Sequence, residues 1–136
     1  MNSMPSETNG PRGKLSGWIG FAITVLMAAL FTMSAAMKFR GGPEFEQGLA
    51  KLQLPTAQMA PLGVVELTCA VLYLLPVTSV LGAILLTGYM GGAICTHWRV
   101  GDPFLMHIVF GVLIWVALYL REPRLRTLIP FWIRYD

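Results

Sequence analysis

The stretch Ala60-Pro-Leu-Gly-Val-Val-Glu66-Leu-Thr-Cys-Ala-Val-Leu-Tyr-Leu-Leu-Pro76 decides how this chain is read, because Glu66 is its only charge. A carboxylate at the centre of an apolar span costs roughly 2.5–3.5 kcal/mol by insertion scales, so it turns to a polar partner inside a bundle rather than to lipid. Working outward, the apolar runs lie at about 15–37, 60–76, 80–97 and 104–120. Each lies near or above the lower limit of the roughly 17–25 residues that cross a bilayer. The expected fold is therefore an all-α integral membrane protein, a bundle of four transmembrane helices.

Composition agrees. Of 136 residues 55% are hydrophobic and only 12% charged, with a mean hydropathy of +0.62. A soluble domain carries about twice that charged fraction. The net charge of +3 comes from basic residues at the ends of apolar runs, which reads as membrane boundaries and gives no reason to expect nucleic-acid binding. The run 15–37 follows Arg12 and Lys14 and ends on Ser34-Ala-Ala36, as a signal peptide would, but it is longer than the 7–15 apolar residues of a signal core.

Three segments divide the chain: a polar N-terminal tail at 1–14, the membrane bundle at 15–121, and a basic, aromatic tail at 122–136 expected at headgroup level. Between the first two spans, Glu44 to Leu54 puts Phe45, Leu49 and Leu52 at i, i+4 and i+7 between Gly41-Gly-Pro43 and Pro55. That spacing predicts a short amphipathic helix at the interface, either a packed connector or a lid. Pro76-Val-Thr-Ser79 is short enough to make spans two and three an antiparallel hairpin, and Pro103 suits the first turn of the fourth.

Counting Lys and Arg on alternating faces gives six on the side of the termini (Arg12, Lys14, Arg121, Arg124, Arg126, Arg134) and four opposite (Lys38, Arg40, Lys51, Arg99). The positive-inside bias then puts both termini in the cytoplasm of a multi-pass cell-membrane protein, in a bacterium the inner membrane. The same folding brings Lys38, Glu66, His97 and His107 to the non-cytoplasmic end, flanked by Arg40, Arg99 and Asp102. Lys38, Arg40, Glu66, His97, Arg99 and His107 are the candidate ligand-binding residues. A metal site has no supporting ligand spacing.

Gly88-x-x-x-Gly92-x-x-x-Thr96 repeats small residues every four positions, a seam for close helix approach inside the bundle or between copies in a homo-oligomer. Cys69 and Cys95 differ in depth by about 9 Å, too far for a disulfide. Cys-x-x-C, nucleophilic triads, phosphate loops and dinucleotide fingerprints are missing from the sequence.

Ser34-Ala-Ala-Met-Lys38-Phe39, Leu54-Pro55, Gly63-Val-Val-Glu66, Leu74-Leu-Pro76, Gly82-Ala83 and Met90-Gly-Gly-Ala-Ile-Cys-Thr-His97, in this order, resemble the DoxX-like family of small four-helix membrane proteins over roughly residues 18–120. The resemblance implies that Lys38, Glu66 and His97 form a polar signature. It also implies a role among those of a functionally mixed family: a subunit of a thiosulfate:quinone oxidoreductase, parts of oxidative-stress complexes, and assembly helpers for membrane proteins. Two functions follow as expectations. One is a non-autonomous subunit binding a quinone or lipid beside a redox-enzyme partner, at most an accessory part of a quinone-linked oxidoreductase. The other is a non-catalytic scaffold or assembly factor for other membrane proteins.

Overall fold

The computed structural model describes residues 11–128, with side chains from 13 to 126. The expectations for the first ten residues and for the aromatic tail at 129–136 lie outside the described residues. Six α-helices follow in order: α1 Pro11–Arg40, α2 Pro43–Lys51, α3 Met59–Leu74, α4 Ser79–Arg99, α5 Leu105–Arg121 and α6 Leu125–Leu128, with a 3₁₀ turn at Thr56–Gln58 ahead of α3. No strand occurs among the described residues.

The stretches Gly13–Arg40, Thr56–Leu74 and Ser79–Arg99 are long and apolar enough to cross a membrane, whereas α5, at 17 residues, is shorter. These helices close a ring: α1 packs on α3 and α5, α3 on α4, and α4 on α5. At the centre lie Met27, Phe31, Tyr73, Leu86, Ile114 and Leu118, each nearly or wholly shielded. The outward faces are apolar too, with Trp18, Leu26, Met33, Val64, Ile84, Leu105 and Val112 all more than half exposed. An apolar belt of that extent needs lipid or protein against it.

Local chemistry sets the ends of these elements. α1 is already helical at Pro11, where the described residues start, ahead of the expected Leu15. It stops where Gly41 takes φ +65° and its N–H donates to the Met37 carbonyl at 3.0 Å. α2 starts on Pro43 and closes with Gln53 at φ +54°, while the Leu54 and Gln53 N–H groups donate back to Leu49 and Ala50. Those two bonds are a Schellman closure. Pro103 falls before α5, whose cap is Phe104, rather than in its first turn.

Two glycines set the closest helix approaches. A Cβ on Gly20 would meet the Ala117 carbonyl oxygen and the Arg121 nitrogen at 2.7 Å, so α1 touches α5 through backbone. A Cβ on Gly82 would strike the backbone of Tyr73, which locks the α3–α4 hairpin. By contrast, Gly88 and Gly92 have nothing within 4 Å of an added Cβ, so their row makes no close contact inside the bundle. Cys69 is buried, Cys95 is exposed, and both are free thiols.

Candidate functional site: a cavity beneath α2

One face of α3 carries Met59, Gly63, Glu66, Cys69, Ala70 and Tyr73, all buried. The 3.6-residue period thus turns Glu66 inward, about 10 Å from the start of its helix. Its side chain is 2% exposed, and its Oε2 accepts a hydrogen bond from Lys38 Nζ at 2.8 Å. Lys38 also donates to Ser34 Oγ, one turn earlier on α1, at 2.8 Å. Tyr89 of α4 borders the pair, its ring centroid 5.9 Å from Lys38 Nζ and its phenol near the Glu66 carboxylate. The buried carboxylate therefore has a cation, and that cation is itself held in place.

A second polar group forms where α4 passes to α5. Gly101, at φ +72°, reverses the chain so that the Asp102 N–H donates to the His97 carbonyl at 3.0 Å. The same turn sets Asp102 Oδ2 2.7 Å from His97 Nδ1. A carboxylate on Nδ1–H fixes the tautomer and leaves Nε2 for another partner. The His107 ring lies 4.4 Å from that of His97, centroid to centroid, and its buried Nδ1 makes no hydrogen bond among the described residues.

Both groups open on one cavity of about 510 Å³. Lys38, Glu66, His97 and His107 line it, and most of the wall is apolar, with Phe31, Leu62, Met90 and Phe110 among the contributors. Its roof is α2 and the following turn, since Phe45, Leu49, Leu52 and Leu54 face into it. Arg99 stands outside the cavity and donates from Nη2 to the Leu52 carbonyl at 2.8 Å, tying the end of α2 to α4. Arg40 is exposed at the end of α1 and is not part of the lining.

The sequence-derived set did not include Ser34, Gln58, Tyr89 or Thr96, which also line the cavity. Ser34 was the most accessible of these, since i, i+4 spacing puts it beside Lys38. Among the described residues no three His, Cys, Asp or Glu side chains converge as metal ligands do. The arrangement suits a molecule with an apolar body and a polar, hydrogen-bonding head, and its volume lies within the usual range of small-molecule pockets.

No curated protein and no solved structure matches the chain. The family model for the DoxX-like family matches residues 22–119, most of the length, and with its apolar helices and inward polar pair the chain belongs to the DoxX-like family of membrane proteins.

Proposed function

We propose that this protein is a non-autonomous membrane subunit that binds a lipophilic ligand, a quinone or a lipid, in the cavity beneath α2. The observation that carries the reading is the cavity itself: apolar walls, a roof of Phe45, Leu49 and Leu52, and a head formed by Lys38, Glu66, His97 and His107. In this reading α5 completes a four-span bundle. Its 17 residues reach about 26 Å at 1.5 Å each, close to the hydrocarbon thickness. Four crossings leave both termini on one side, and the six-to-four count of basic residues favours the cytoplasm.

The residues present fit a quinone. Lys38 Nζ and a histidine N–H are donors to a carbonyl oxygen, and the apolar walls suit a ring and its tail. A bound quinone supplies two-electron redox chemistry, with electrons delivered by a partner enzyme. Reduction to the quinol takes a proton at each of the two carbonyl oxygens, and His97 and Glu66 would hold or pass the one for the oxygen at the head of the cavity. Binding Glu66 to Lys38 keeps the carboxylate beside that position instead of facing lipid.

A second reading, a scaffold or assembly factor, draws on the exposed Gly88, where an added Cβ would meet nothing within 4 Å and a partner helix could approach closely, whereas Gly92 one turn on borders the cavity. Mass spectrometry of organic extracts separates the two. A stoichiometric quinone or lipid in the wild type that is lost on Glu66→Gln supports the ligand-binding subunit. Empty protein in both, with the variant only less stable, rejects it and leaves the scaffold.

A further inference from the structure

A second cleft, of about 490 Å³, lies at the opposite end of the ring, where α1 begins and α5 ends. Lys14, Arg121 and Arg126 line it together with Trp18 and Phe21, and among the described residues no acidic side chain is in the lining. Its floor is made by absence: Gly13 and Gly17 line it, and a Cβ on Gly17 would meet nothing within 4 Å.

Two of the cations are held in position. Arg121 Nη2 donates to the Tyr73 carbonyl at 3.2 Å, and its buried Nη1 has no hydrogen-bond partner among the described residues. Arg126 is brought back towards α1 by α6, donating to the Tyr119 and Leu120 carbonyls and to Ser16 Oγ, with its guanidinium 5.6 Å from the Tyr119 ring centroid. Those contacts use only part of a guanidinium's five donors. Beside them Trp18, 71% exposed, and Phe21, 44% exposed, offer an apolar wall leading away from the charges.

We propose that this cleft binds an anionic phospholipid, its phosphate held among Lys14, Arg121 and Arg126 and the start of its acyl chains lying against Trp18 and Phe21. Three cations line the cleft while Glu122, next to Arg121, stays outside the described lining, so positive potential is concentrated where a helix bundle meets the headgroup layer, and guanidinium matches phosphate geometry. The exposed tryptophan belongs to the same level, with an apolar ring and a polar N–H. The site stands apart from the cavity beneath α2 and is independent of what that cavity holds.

The test is native mass spectrometry of the full-length protein, delipidated in neutral detergent and titrated with phosphatidylglycerol, phosphatidylcholine and inorganic phosphate. Phosphatidylglycerol should bind at least about tenfold more tightly than phosphatidylcholine, and millimolar inorganic phosphate should not displace it. Gly17→Leu fills the cleft and leaves every charge in place, while Lys14→Gln with Arg126→Gln removes charge and leaves the space. Each should reduce the preference to within about twofold. Equal binding of both lipids by the wild type overturns the proposal, as does a preference that survives either variant. Displacement by inorganic phosphate overturns it as well, marking a site for free anions.

Discussion

Lys38 Nζ and Glu66 Oε2 meet at 2.8 Å and join α1 to α3 at a point where the carboxylate is 2% exposed. Removing one member of such a pair leaves the other buried alone. Lys38→Met should therefore lower stability by about 3 kcal/mol, while Lys38→Met with Glu66→Leu should return to within about 1 kcal/mol of wild type. Denaturant unfolding in micelles measures both. A double variant as damaged as the single one would show that the pair is not the source of the loss.

Gly20 and Gly88 make opposite predictions from the same substitution. Gly20→Ala drives a Cβ into the backbone of Ala117 and Arg121, which cannot rotate away, and should cost about 1–3 kcal/mol. Gly88→Ala meets nothing within 4 Å and should be neutral or gain about 0.5–1 kcal/mol of helix propensity. Paired thermal melts decide it, and equal losses at both positions would contradict the packing described.

Arg99 fastens the roof of the cavity through the Leu52 carbonyl. Arg99→Gln should speed amide exchange across residues 43–54 about fivefold, corresponding to roughly 1 kcal/mol of lost hydrogen bonding, while α3 and α4 exchange as before. Hydrogen–deuterium exchange of the intact protein reads this directly. Unchanged exchange in α2 would mean that its apolar face alone holds it down.

Asp102 decides which nitrogen of His97 carries the proton. With Oδ2 2.7 Å from Nδ1, the bound form is the Nδ1–H tautomer. Asp102→Ala should shift the neutral ring towards Nε2–H, seen in the nitrogen chemical shifts of labelled histidine, with little change in melting temperature. The same tautomer in wild type and variant would remove the carboxylate from this role.

The inward turn of Glu66 was legible because a charge among apolar residues has a single tolerable direction, and Gly63, Cys69 and Ala70 share its face. Phe45, Leu49 and Leu52 were legible as one face of a short helix, and they all line the cavity. What the sequence hid was which glycines bear contact. Gly20, Gly82, Gly88 and Gly92 look alike in a string, and only the crossing points of the helices separate the backbone-tight pair from the open one. Arg99 was legible as a charge at the right end of the bundle, but its partner is a main-chain carbonyl 47 positions away, which no side-chain pattern announces. The cationic cleft was hidden for a related reason, since Lys14 and Arg126 come to line one cleft only through the turn of chain after α5.

Tyr73 is wholly buried, donates its hydroxyl proton to the Ile114 carbonyl at 2.9 Å, and receives Arg121 on its own carbonyl. It is a strut across the ring, joining α3 to α5, two helices that are not neighbours around it. At the far end the ring borders the cavity, and no such hydrogen-bonded tie between opposite helices crosses it among the described residues. The two ends are thus fastened in different directions: near Tyr73 the tie runs through the middle from one helix to the helix opposite, whereas Lys38 and Glu66 tie only adjacent helices, along the wall.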